Sequence, residues 1–160
     1  MIKGHTVKFF AGAFFLLVCL GVLVFIASHI YQPSTNKLDS LGIQDAQIGE
    51  TSVQLYIADD AVEQAQGLSH IASLPENTGM LFIFSESHVP KFWMKDMQVA
   101  IDIIWIDESG SIVDIDHNIA PETYPESFSP ETPVQYVAEF PAGFVVENNV
   151  EIGDVLLRTF

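Results

Sequence analysis

Read for apolar and polar positions, the chain opens with one unbroken apolar block and then changes to the two-residue alternation of strands. Phe9 to Ala27 is 19 residues without a charged side chain. The run is apolar on every helical face, which predicts a helix of roughly 28 Å, matched to the hydrocarbon core of a bilayer. Lys3 and Lys8 precede it and nothing basic follows until Lys37. The positive-inside rule then gives a cytoplasmic N-terminus over residues 1–8, a single-pass transmembrane anchor over 9–30, and a C-terminal part that is periplasmic or extracellular. A cleavable signal peptide is the competing reading. Its apolar region is typically about 7–15 residues and ends at a small-x-small site. Here the run is longer, and Ile26 and His29 flank the small pair Ala27 and Ser28, which favours an uncleaved anchor.

Residues 31–49 are polar, with Pro33, Ser34, Thr35 and Asn36 and no sustained period, and read as a linker between the membrane and a domain over 50–160. In that domain the pattern is mostly β. Val53, Leu55 and Ile57 alternate with Gln54 and Tyr56, a half-buried strand. Asp60 to Gly67 predicts a short helix: Asp60 caps it, Glu63 stands at the reciprocal third position, and Gly67 can take positive φ at its end. Met80–Phe84 and Lys91–Lys95 read as two further strands. Ala100–Asp116 reads as a hairpin, with Ile101, Ile103 and Trp105 on one face and the turn at Asp107-Glu108-Ser109-Gly110. Val113 and Ile115 are expected on one face of the return strand, with Asp114 and Asp116 on the other. Thr123–Pro133, with three prolines, reads as a loop, and Gln135–Phe140 and Asp154–Thr159 as the last strands. The predicted fold is mostly β: a small antiparallel β-sandwich or partly closed barrel with one or two short helices, preceded by one transmembrane helix.

Charge narrows the partners. From Tyr31 onward four cations, Lys37, Lys91, Lys95 and Arg158, stand against 21 anions, a formal charge of −17. Such a surface repels nucleic acid phosphates and anionic headgroups and favours solubility, cations or a basic partner. The one cysteine, Cys19, lies in the apolar block, so the domain has no disulfide, thiol nucleophile or cysteine metal site.

A series of short strings resembles a known family. They are Gln66-Gly67-Leu68-Ser69, Leu74-Pro75, Gly79-Met80-Leu81-Phe82-x-Phe84, Phe92-Trp93-Met94-Lys95, Asp102-Ile103, Tyr136-Val137-x-Glu139, Ala142-Gly143 and Gly153-Asp154. As an ordered set over roughly Ser52 to Arg158 they are similar to DUF192, also described as UPF0127. The resemblance implies a compact, mostly antiparallel β domain, often behind a signal peptide or anchor, and no established activity. Departures are Ile71 where an arginine is common, Asp96 where asparagine is frequent, Ala100 where proline is common, and no cysteines near Tyr124. Ile71 puts in doubt any anion site that such an arginine would make.

Four residues stand out as candidate ligand-binding groups: Trp93, Lys95, Asp102 and Glu139. Strand alternation puts Trp93 and Lys95 on one face, an aromatic ring beside a cation, with Phe92 and Met94 on the other. Asp102, between Ile101 and Ile103, and Glu139, between Ala138 and Phe140, are carboxylates inside apolar strands. Each is solvated or buried with a partner. By residue type Lys95 is the natural partner of Asp102, in a pair that is structural or functional. Asp114-x-Asp116-His117 invites a metal, but no standard ligand spacing is present. The glycine-flanked serine elbow, the phosphate loop and the dinucleotide fingerprint are all missing. The reading is therefore a non-catalytic extracytoplasmic binding or accessory module, with no cofactor or metal. It is held to the membrane by the N-terminal helix and takes a small molecule, glycan or protein segment. The alternatives are a carboxylate-dependent hydrolase of cell-envelope material, using Asp102 or Glu139, and a structural assembly partner.

Overall fold

A computed structural model describes residues 37–158. The anchor over 9–30 lies outside the described residues, and among those described no helix is long and apolar enough to cross a membrane. The elements run β1 (Ile43–Ile48), β2 (Thr51–Ala58), α1 (Ala61–Gln66), β3 (Thr78–His88), β4 (Phe92–Trp93), β5 (Ile101–Ile106), β6 (Ile112–Ile119), β7 (Ser127–Phe128), β8 (Val134–Pro141), α2 (Phe144–Glu147) and β9 (Leu156–Arg158).

Seven strands form one sheet in the order β6-β5-β8-β3-β2-β1-β9, and β4 pairs with β7 in a two-stranded ribbon. The protein is thus mostly β, a curled half-barrel with two short helices rather than a two-sheet sandwich. Its edges meet at one end: Ser111 bridges Val155, the Ile112 N–H donates to the Asp154 carbonyl at 2.8 Å and the Leu156 N–H to the Gly110 carbonyl at 2.8 Å. Backbone groups that an open edge would leave unpaired are satisfied there.

β2 and β3 are parallel, so the chain needs a crossover between them, and α1 supplies it. α1 starts with the expected capping box. The Asp60 carboxylate accepts the Val62 and Glu63 N–H groups, each at 2.8 Å, and Glu63 accepts the Asp60 N–H at 3.4 Å.

The linker assignment through Gly49 needs correction. Leu38 is fully buried and residues 43–48 pair with β2 over six positions. The segment is polar because only Ala46 and Ile48 of β1 face the core. The proline-rich stretch 123–133 is also more than a loop, since it contains β7. The strand expected at Lys91–Lys95 contracts to Phe92–Trp93.

The sheet has two apolar faces. All seven strands contribute to one cluster, which includes Leu55, Leu81, Ile104 and Phe140 and is closed by Phe144 and Val145 of α2. A face reached from both edge strands is the concave one. The other cluster, built on Met80, Phe82, Ile103, Trp105 and Val137, is covered by loop residues including Leu68, Ile71 and Met94. The hairpin puts Ile101, Ile103 and Trp105 there as expected. A register shift between Ile106↔Ile112 and Trp105↔Asp114 turns the return strand, so Val113 and Ile115 pack against different clusters. Asp116 is drawn under the sheet's outer layer, where its Oδ2 accepts the Trp105 indole N–H at 2.8 Å.

Candidate functional site

On β8, Glu139 is opposite Met80 of β3 and Ile103 of β5. Residues opposite one another in a sheet share a face, so its side chain joins the loop-covered, convex cluster. Glu139 is 6% exposed, and its Oε2 is buried without a hydrogen-bond partner among the described residues. Burial pushes its carboxyl up to about 8, because removing a carboxylate from water disfavours the charged form. At neutral pH the group is a carboxylic acid. Directly over it the chain leaves α1 through Gly67 at φ 47°. A β-carbon there would stand 3.4 Å from the Phe82 ring and 4.0 Å from Glu139 Oε2. Glycine both relieves the positive φ and lets the backbone close on the carboxyl.

Glu139 lines a cleft of about 460 Å³ between α1, β3 and the 88–97 segment. Phe82, Phe84, Phe92, Trp93 and Met97 supply its apolar walls. Phe92 packs into the wall, standing edge-on to Phe82 at 4.9 Å and to Trp105 at 5.4 Å between centroids. Trp93 is 53% exposed at the mouth. The polar lining includes Gln64, whose amide N–H groups are used by the Ala58 and Ile83 carbonyls at 3.3 and 2.9 Å, and the exposed side chains of His88 and Lys91. A few polar groups converging in an apolar concavity is the usual make-up of a small-molecule site.

Of the four residues singled out in the sequence, the fold brings two together. Trp93 and Glu139 share the cleft. Lys95 is exposed outside it, and its backbone carbonyl accepts the Ser69 hydroxyl at 3.1 Å. Asp102 is opposite Phe140, so it points to the concave face, away from Glu139. Nor does Asp102 use Lys95 as its partner. Its Oδ1 accepts the Asn118 N–H at 2.8 Å, and its Oδ2 those of Gly143 and Val145 at 3.1 and 3.0 Å. A carboxylate fed by three backbone donors is satisfied without a cation. Here it ties the entry of α2 to β5 and β6. The pattern of the sequence did not nominate Phe82, Phe84 or Lys91. The alternation Phe82-x-Phe84 was a usable signal for the first two, since both side chains then fall on Glu139's face. Asp114, Asp116 and His117 do not converge, and no group of three metal-ligating side chains is present among the described residues.

The fold is known from solved structures. A protein from Sinorhizobium meliloti 1021, described as a proposed transcription regulator, matches with a TM-score of 0.72 and 27% identity over 74% of this chain and 95% of that one. A protein of unknown function from Novosphingobium aromaticivorans DSM 12444 matches with a TM-score of 0.71 and 23% identity over 78% and 91%. No functionally curated protein matches the chain. The family model of DUF192, Uncharacterized ACR, matches residues 43–157, spanning β1 to β9. The chain belongs to the DUF192 family.

Proposed function

We propose that the chain is a membrane-anchored, extracytoplasmic binding module whose cleft at Glu139 and Trp93 takes a small organic ligand. The supporting observation is the buried Oε2 of Glu139, without a hydrogen-bond partner among the described residues and set in a cleft whose walls include Phe82, Phe84, Phe92, Trp93 and Met97. A buried polar group without a partner costs about 1–3 kcal/mol, and a ligand that pairs with it recovers that cost on binding. The 19-residue apolar run Phe9–Ala27 supports the anchor. Regulation of transcription is not carried over from the Sinorhizobium protein, since the formal charge of −17 from Tyr31 onward opposes contact with phosphates.

The test is a ligand-observed NMR screen of small aromatic and aliphatic compounds on the full-length protein and on Trp93→Ala, which trims an exposed wall residue. Hits lost with Trp93→Ala place binding in the cleft. Hits that all survive the substitution put the ligand elsewhere and defeat the reading.

The raised pKa of Glu139 favours a second reading, general-acid catalysis in a hydrolase of cell-envelope material. It would act without Asp102, which faces the other side of the sheet. Turnover of envelope fragments that disappears in Glu139→Gln, at unchanged binding, would favour it over simple binding.

A further inference from the structure

We propose that the ligand of this cleft is an organic cation, an ammonium group carried on an apolar or aromatic body. The inference rests on the binding reading above and specifies the chemistry of that same site. The deep polar groups of the cleft are mainly acceptors, with the single O–H of Glu139 in its neutral form as a donor. Glu139 offers carboxyl oxygens. Gln64 has committed its amide N–H groups to Ala58 and Ile83, so its carbonyl oxygen is what it can turn to a ligand. The side-chain donors in the lining belong to the exposed residues Gln66, His88, Lys91 and Trp93 and to Ser69, whose hydroxyl donates to the Lys95 carbonyl at 3.1 Å. A donating ligand therefore finds more partners at the bottom of the cleft than an accepting one. The walls agree with this. Phe82, Phe84, Phe92 and Trp93 can pack an apolar body, and aromatic faces attract cations. The charge of −17 from Tyr31 onward draws cations to the mouth and repels organic anions.

Such a ligand changes the state of its receptor. The empty cleft holds Glu139 as a neutral acid, since its pKa is about 8. An ammonium beside it favours the carboxylate, so binding at pH 7 expels the carboxyl proton to solvent and leaves an ion pair. About nine sites in ten are protonated at pH 7 before binding, so roughly 0.9 proton leaves per ligand bound. The binding-competent carboxylate grows with pH, so affinity rises roughly five- to tenfold between pH 7 and pH 8.5. The other titratable side chains lining the cleft are His88 and Lys91. A pH slope owed to either survives Glu139→Gln, whereas one owed to Glu139 does not.

The experiment is calorimetric titration of the full-length protein in nanodiscs with 2-phenylethylamine, 2-phenylethanol and 3-phenylpropionate. Each is run at pH 7 and 8.5, in two buffers of different ionisation enthalpy. The expected result is tightest binding by the amine, proton release at pH 7, and an affinity that rises with pH in the wild type but not in Glu139→Gln. Proton release is read on the wild type alone, so it holds even if the variant folds poorly. Tighter binding by the alcohol or the acid, or amine binding without proton release, overturns the cation assignment and leaves the binding cleft standing. Binding by none of the three at 10 mM overturns the cleft as a site for ligands of this size, and this inference with it.

Discussion

Asp102 and Glu139 lie on neighbouring strands, and the backbone treats them differently. Three N–H groups converge on Asp102, whereas Glu139 Oε2 has no donor among the described residues. Asp102→Ala should leave those three donors without their acceptor and cost about 3 kcal/mol or more, read as a lower urea midpoint. Binding in the cleft should be unchanged in the protein that remains folded. Glu139 sets a pH dependence of the opposite origin. Its pKa is raised from 4.5 to about 8 in the folded state. Between those values the native protein holds a proton that the unfolded chain has lost. Stability is therefore fully present below about 4.5, falls as pH rises, and levels off above about 8. The slope is at most about 1.4 kcal/mol per pH unit. Glu139→Gln removes this slope, so its advantage over the wild type should grow from pH 5 to pH 8. Denaturant unfolding of both proteins across that range checks it. The presence of both carboxylates in apolar strands was legible in the sequence. Their separation was not, because it depends on the register Asp102↔Phe140 and Ile103↔Glu139, which one strand read alone does not contain.

At the scale of elements, what reads locally is local chemistry. Asp60 and Glu63 announce α1, and Asp107 announces the β5–β6 turn, where its Oδ1 accepts the Ser109 and Ser111 N–H groups at 2.8 and 2.9 Å. The Ser109 hydroxyl, with the backbone N–H groups of Ser111, Ser109 and Gly110, outweighs burial there and holds the Asp107 carboxyl below its usual range. What stays hidden is structure made by partners. β1 is polar and earns its place by pairing with β2, and β7 exists through β4. Gly79 carries a similar hidden constraint inside β3. A β-carbon there would meet the Glu139 carbonyl oxygen at 2.5 Å and the Phe140 ring at 2.8 Å. Gly79→Ala should therefore destabilise by about 1–3 kcal/mol through overpacking. Gly42→Ala, where nothing lies within 4 Å, should change stability far less in the same assay.

Across the whole molecule, the half-barrel sorts residues by face. Its concave side is filled by the core and by α2, where Asp102 holds the backbone N–H groups of Asn118, Gly143 and Val145. The convex side is covered by loops, and the cleft opens there beside α1. Trp93 and Glu139 meet because the β4 segment and β8 both reach it, whereas Lys95 lies outside the cleft. Ile71 is a buried member of the same apolar cluster and brings no charge to the carboxyl. The proposed anchor makes its own prediction: alkaline carbonate extraction of membranes should leave the full-length protein in the pellet. Release into the supernatant would contradict an anchor over residues 9–30.

The carboxyl pKa of Glu139 tests most directly whether a buried acid without a hydrogen-bond partner among the described residues lines the cleft. It can be followed by carbon-detected NMR of the full-length protein labelled at glutamate, with Glu139→Gln assigning the resonance. The expected midpoint is near 8. A midpoint near 4.5, that of a solvated or well-paired carboxylate, would contradict it.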